Sequence, residues 1–190
     1  MKRSHWTTIL VVLLILSLSF SIIAGCSNGN KYSGFGFAFE YPQGYTIAVN
    51  GLFDPQANME SGIVEVRCDK EPKKSFQVIW QQRSKENYES TVQLEKDLAG
   101  LFDALTSTRR VDLETGQQAE TTLRGHPTIY QTYSAFPQEV QFEAQYGVQA
   151  VLYCQSSEKW FALKTFRDAP ATDTALVEDF LSFADTFRCH

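Results

Sequence analysis

Four cysteines and three histidines are the residues of this chain best suited to covalent or metal chemistry. The cysteines stand at positions 26, 68, 154 and 189, and no two have the Cys-x-x-Cys spacing of a thioredoxin-like redox motif. Those long spacings, with His126 the one histidine inside the folded part, argue against a zinc site, so neither a metal nor a cofactor is expected. Cys68, Cys154 and Cys189 keep three readings: one structural disulfide with a leftover thiol, buried free thiols, or a metal or redox role. His126 lies between Gly125 and Pro127, where the sequence reads as a turn. A general base there needs a nucleophile or an orienting acid, and the sequence nominates neither. Asp112, Glu114, Glu120, Glu139 and Glu143 would have to converge to hold a divalent cation; scattered acids ordinarily form a solvated face.

Other catalytic signatures are weak. Ser33-Gly34-Phe35-Gly36 has two close glycines, but it enters a strand and opens no helix whose N-terminus would hold an anion. There is no Gly-x-Ser-x-Gly elbow. No catalytic residue is therefore expected. An enzyme remains a third reading that requires a polar cleft gathering His126 with several acids. The aromatics Phe37, Phe39 and Tyr41, with Trp80 and Trp160, read as core; the alternative is an apolar pocket for a lipid, pigment or other hydrophobic ligand.

The first twenty-six residues speak to location. Lys2 and Arg3 precede an apolar run from Ile9 to Ala24, which leads into Gly25-Cys26. A basic start, an apolar stretch and small residues before a cut site read as an export signal. The segment Ile23-Ala24-Gly25-Cys26 resembles a bacterial or archaeal lipoprotein signal, in which Leu, a small residue, and Gly or Ala precede the modified cysteine. Ile23 stands where Leu is commonest. The resemblance implies that residues 1–25 form a hydrophobic signal helix that is removed, and that Cys26 becomes a lipidated N-terminus. An uncleaved anchor is the rival. The sixteen residues from Ile9 to Ala24 span about 24 Å, short of a hydrocarbon core of about 30 Å.

Without the leader the chain keeps 165 residues, enough for one domain with a core. The leader removes Lys2 and Arg3 from 17 basic residues and nothing from 22 acidic ones, so the net charge becomes −7. An acidic surface opposes binding to nucleic acid or to anionic lipid.

Residues 26–34 are small and polar and read as a tether, followed by a single domain over 35–190. Phe35, Phe37, Phe39 and Tyr41 alternate with smaller residues, which predicts a strand; Pro42-Gln43-Gly44 turns it. Tyr45–Val49, Ile63–Cys68 and Phe76–Gln82 predict three more strands. Leu94, Leu98, Leu101, Phe102 and Leu105 form one helical stripe, with Asn87 or Ser90 as its cap. Glu114-Thr115-Gly116 reads as a turn before a strand over Gln118–Leu123. Gly125-His126-Pro127 then reads as a break before Thr128–Ala135. Val148–Cys154 and Trp160–Phe166 form a hairpin, and Asp173–Phe187 predicts a closing helix. Hairpin-joined strands with two amphipathic helices imply an α+β domain around a mainly antiparallel sheet.

Phe35-Gly-Phe-Ala-Phe-Glu-Tyr-Pro-Gln-Gly-Tyr45 resembles the aromatic strand and Tyr-Pro-x-Gly-aromatic turn that open PsbP-like domains, the superfamily shared with Mog1. That family includes the extrinsic protein of photosystem II and many bacterial and archaeal lipoproteins. Gly125-His126-Pro127, the later hairpin and the closing helix extend the resemblance over residues 32–188. It implies an antiparallel sheet between helices, without a common catalytic centre, acting as an accessory or binding module on membrane complexes.

Element lengths place the cysteines. Trp160–Phe166 runs about 23 Å away from the hairpin turn at about 3.3 Å per residue. The helix from Asp173 to Phe187 returns about 22 Å. Cys189 should finish near Cys154, which makes Cys154 and Cys189 the preferred disulfide and Cys68 the free thiol. The expectation is a non-enzymatic extracytoplasmic lipoprotein held to the membrane through Cys26 and bound to an envelope protein, with a carrier or sensor of a hydrophobic ligand as the alternative. Labelled palmitate should enter the wild-type chain and be absent from the Cys26→Ser variant; label in the variant excludes lipidation at Cys26.

Overall fold

The computed structural model describes residues 29–56, 60–71, 73–88, 91–139 and 143–190. The leader, Cys26 and Ser90 lie outside them. No helix among the described residues is long and apolar enough to cross a membrane.

Two antiparallel meanders build one seven-stranded sheet. The first contains β3 (Tyr45–Leu52), β4 (Ser61–Cys68) and β5 (Ser75–Gln82). The second contains β6 (Val111–Leu123), β7 (His126–Pro137), β8 (Gln145–Cys154) and β9 (Lys159–Arg167). Strand β9 pairs with β5, which gives the order β3-β4-β5-β9-β8-β7-β6. A helix, α1 (Thr91–Arg109), crosses between the meanders, and α2 (Asp173–Ala184) follows the last strand. A three-stranded sheet of β1 (Asn30–Gly34), β2 (Phe37–Tyr41) and β10 (Arg188–Cys189) completes the fold in the order β1-β2-β10.

The central strands are apolar on both sides because both sheet faces are covered. On one face Val148, Ala150, Leu152, Phe161 and Leu163 pack beneath Leu176, Phe180 and Phe183 of α2 and the aromatics of β2. On the other, Val151, Tyr153, Trp160 and Ala162 pack beneath Leu94, Leu98, Phe102 and Leu105 of α1. The predicted stripe of α1 is thus the face it buries. Helix α2 is capped by Thr172, whose side chain accepts from the Ala175 amide at 3.3 Å.

Several sequence expectations need correction. Residues 30–34, read as tether, form strand β1, which pairs along its whole length with β2. Polar composition concealed it: only Tyr32 is buried, stacked 5.2 Å from Phe39, with its hydroxyl donating to Asn50 Oδ1 at 3.1 Å. Phe35 does not extend the aromatic strand. Phe35 and Gly36 have φ of 50° and 79°, both left-handed, and make a two-residue hairpin turn. The strained Phe35 is held by its ring, 5.0 Å from that of Trp80, and by Lys159 Nζ donating to its carbonyl at 2.7 Å.

Glu114-Thr115-Gly116 is not a turn: Glu114 and Thr115 pair with Ser134 and Tyr133 inside β6, and a bulge follows at Gly116-Gln117. A Cβ at Gly116 would stand 2.4 Å from Thr132 Oγ1 and 2.6 Å from Asp173 Oδ2, so a larger residue there must displace both side chains. The turn between β6 and β7 is Arg124-Gly125, which leaves His126 and Pro127 inside β7. Pairing of β7 with β8 begins at Thr128, so the missing amide of Pro127 breaks no ladder there. Finally, α2 ends at Ala184, and Phe187 is buried in the extended segment leading to β10.

A polar anchor fixes the start of α1. Arg83 Nη1 donates to Tyr88 Oη at 2.6 Å and to Asp97 Oδ1 at 3.0 Å, while the Tyr88 hydroxyl donates to Asp97 Oδ2 at 2.8 Å. The Tyr88 ring stacks 4.3 Å from Tyr153, and the Arg83 guanidinium lies 4.6 Å over Trp160. Burial pushes the Tyr88 phenol up to about 12, despite the opposing pull of Arg83.

Two outcomes follow from this packing. Phe183 meets Phe76 at 4.9 Å and Phe39 at 5.2 Å, so Phe183→Ala should cost about 3–5 kcal/mol in denaturant unfolding with an unchanged m-value. The raised Tyr88 value means the folded state holds the proton more tightly than the unfolded one. Its contribution is complete below about pH 10, the ordinary phenol range, and is lost as pH rises toward about 12. Unfolding midpoints measured across that window should fall less steeply in Tyr88→Phe than in the wild type.

Candidate functional site

Helix α1 packs chiefly on β6, β7 and β8 and leaves the same sheet face less covered toward β4 and β5. At that boundary the strand register aligns one polar residue from each of five strands. Glu65 of β4 faces Gln77 of β5; Gln77 faces Lys164 of β9; Lys164 faces Gln149 of β8; and Gln149 faces Gln131 of β7. Directly opposed residues in antiparallel strands share a face, so these five form a continuous row. Glu65, Lys164 and Gln149 are buried.

Each charge in the row is compensated locally. The Glu65 carboxylate accepts from Arg67 Nε and from Gln77 Nε2, the latter at 2.9 Å. The Lys164 ammonium sits 5.2 Å over the Tyr133 ring and 5.3 Å over the Phe166 ring. Gln149 Nε2 is buried without a hydrogen-bond partner among the described residues.

One end of the row opens into a cleft of about 820 Å³. Glu65, Arg67, Lys73 and Gln77 line one side, and Leu105, Thr108 and Arg110 at the end of α1 line another. Val111, Ala135, Pro137, Ala144 and Phe166 supply apolar surface, and Glu139, Glu143, Gln145 and Asp168 complete the rim. Lys73 pairs with Glu143 and lies 3.7 Å from Asp168, so the rim charges are held in opposed sets. The hydrogen bond to Glu143 holds the Lys73 ammonium above its ordinary range.

The five aromatics considered as a ligand pocket do not line this cleft. Phe37, Phe39, Tyr41 and Trp80 belong to the core under α2, whereas Trp160 belongs to the core under α1, on the opposite side of the sheet. Phe37 lies 6.3 Å from Phe39 and 5.4 Å from Phe161, and Phe39 lies 6.0 Å from Tyr41: ring against ring. Close packing fills the space a ligand would need.

The acids do not gather either. Glu139 and Glu143 reach the cleft, Asp112 accepts from Gln138 Nε2 at 2.9 Å, and Glu114 and Glu120 lie on β6 opposite Ser134 and Ile129. His126 is remote from that set. Its Nε2 lies 3.3 Å from Cys189 Sγ, beside the disulfide that joins Cys154 to Cys189 with their Cα atoms 6.4 Å apart. The donor atoms of His126, Cys154 and Cys189 all lie within 4.8 Å of one another, the one such potential metal-holding group among the described residues. Sequence spacing concealed it. Extending the β7–β8 register by two positions beyond Thr128 and Leu152 places His126 opposite Cys154. Cys68 is a free, half-buried thiol opposite Tyr45, whose phenol is pushed up by burial first and by Cys68 next.

No family model matches the sequence, and no curated protein matches it. Among solved structures, the solution structure of cyanobacterial PsbP (CyanoP) from Synechocystis sp. PCC 6803 matches with a TM-score of 0.59 at 15% identity, over 88% of this chain and 95% of that one. The crystal structure of PA94, a protein of unknown function from Pseudomonas aeruginosa, matches 79% of this chain and 87% of its own length, at 9% identity and a TM-score of 0.39. The mainly antiparallel sheet, its two helices and the first of these matches together give this chain a PsbP-like fold.

Proposed function

We propose that the protein is a non-enzymatic extracytoplasmic lipoprotein, tethered through Cys26, whose cleft holds a polar segment of an envelope protein. The observation that carries this reading is the cleft lining. Arg67, Lys73 and Arg110 line the cleft together with Glu65, Glu139, Glu143 and Asp168 and with apolar surface that includes Leu105, Val111 and Phe166. Opposed charges over an apolar patch suit a segment that brings both charge signs and a few apolar side chains, because complementarity of that kind gives specificity and register.

The Cys154–Cys189 disulfide and the leader support an oxidising compartment. The first strand begins at Asn30, four residues after Cys26. Four residues reach at most about 14 Å, so a lipid on Cys26 keeps the domain close to the bilayer and the partner within the same shallow layer. The acidic balance of the folded part turns the surface away from anionic headgroups and toward protein.

The test separates tether from cleft. Reversing two rim charges, Arg67→Glu with Lys73→Glu, should abolish co-purification of the partner from detergent-solubilised membranes while the protein stays in the membrane fraction. Cys26→Ser should do the opposite, releasing the protein while retaining the partner. An unchanged set of co-purifying proteins in the folded reversal variant removes the cleft from the proposal.

A further inference from the structure

We propose that His126, Cys154 and Cys189 form a redox-gated site for a thiophilic cation of the Zn2+ class, closed while the disulfide stands and opened by its reduction. The site is independent of the cleft. Two cysteine sulfurs and one imidazole nitrogen already lie within 4.8 Å of one another, with Nε2 of His126 3.3 Å from Cys189 Sγ. A tetrahedral zinc ion with Zn–S about 2.3 Å and Zn–N about 2.0 Å sets its sulfur and nitrogen ligands about 3.5 Å apart and its two sulfurs about 3.8 Å apart. The histidine therefore stands near its ligating distance, and the sulfurs need only separate. Two thiolates and a neutral imidazole make a soft donor set, and water takes the fourth position.

The scaffold keeps the three donors together after the bond opens. His126 and Cys154 occupy adjacent strands, at the ends of β7 and β8. Cys189 is held by pairing with Phe37, by the His190 amide donating to Gly36 O at 3.0 Å, and by Phe187, which packs 5.0 Å from Phe161 and 5.9 Å from Phe37. Those contacts are non-covalent and survive reduction, while the two-residue strand β10 is short enough to let Cys189 shift.

Burial fixes the order of events. Cys154 is wholly buried, whereas Cys189 and His126 are half-buried, so an entering thiolate meets the Cys189 sulfur. A dithiol reductant attacks that sulfur and forms a mixed disulfide. The Cys154 sulfur leaves with the bonding pair as a thiolate, 3.1 Å from Ser156 Oγ, which can donate to it. The reductant's second thiol then displaces Cys189, so the reductant is oxidised to its disulfide and two cysteines are reduced. Binding of the cation releases the protons of both thiols to solvent and leaves a site of zero net charge.

The test uses the full-length chain in detergent with Cys26→Ser and Cys68→Ser, so that the pair are its only cysteines. After reduction with a phosphine and removal of the reagent, Zn2+ should bind at one equivalent in a chelator competition, and Co2+ should give thiolate-to-metal charge-transfer absorption. The oxidised chain should bind neither. His126→Ala should weaken Zn2+ binding at least tenfold and alter the Co2+ spectrum, while its disulfide still re-forms on oxidation. Failure of the reduced chain to bind Zn2+ overturns the proposal, as does binding of equal affinity in His126→Ala, which would mean thiols of a loosened chain acting alone.

Discussion

The pairing of β5 with β9 is the constraint on which the rest of the structure depends. Among the described residues it is the one strand pairing that joins two meanders, each built from near neighbours in sequence, and it joins residues that lie far apart: Val78 to Leu163, Ile79 to Ala162 and Trp80 to Phe161. The pair buries one aromatic-rich face under α2 and the other under α1. Such long-range pairing carries a large loop-closure cost before it returns contacts. Ring packing onto both of its strands offsets that cost: Phe35 on Trp80 of β5, and Phe37 and Phe187 on Phe161 of β9.

Both chemically interesting regions derive from that seam. The cleft opens beside it, at the Glu65–Gln77 end of the polar row that crosses the seam between Gln77 and Lys164. At the other end of the seam Lys159, the first residue of β9, lies 4.6 Å over Trp80 and ties down the turn that sends β2 back beside β10. Strand β2 in turn positions Cys189 above the end of β8. The disulfide therefore closes a cycle of elements already assembled by packing, rather than drawing a loose tail inward.

Much of this frame was legible in the sequence, for a physical reason. Strands β4, β5, β8 and β9 and the α1 stripe are defined by apolar side chains whose period reports which face is buried, and burial is what folding rewards. Elements held by other means were not legible. Strand β1 has one buried side chain and depends on a turn at Phe35-Gly36, where a phenylalanine takes a left-handed conformation that its type disfavours. The β6 bulge hid behind Glu-Thr-Gly, which reads as a turn wherever it occurs. The relation of His126 to the cysteines required strand register, a long-range property that no local window contains. The aromatics of β2, by contrast, invited a pocket reading that ring-to-ring packing resolves as core.

The buried polar row bears on why the cleft stays polar. A fold of this kind would be simpler to stabilise with apolar residues at Glu65, Gln77, Lys164 and Gln149, since buried charges carry desolvation costs that pairing often fails to repay. Their neighbours reduce that cost without removing it: Arg67 and Gln77 on the Glu65 carboxylate, and two aromatic faces under the Lys164 ammonium. Gln149 keeps a buried Nε2 without a partner among the described residues, which is a cost with no structural return. A charged, partly satisfied row resists closure by hydrophobic collapse, and its Glu65–Gln77 end puts hydrogen-bonding groups into the cleft beside the apolar lining. Retaining it at the expense of stability is intelligible where that end of the sheet must accept something polar, which a wholly apolar row would not do.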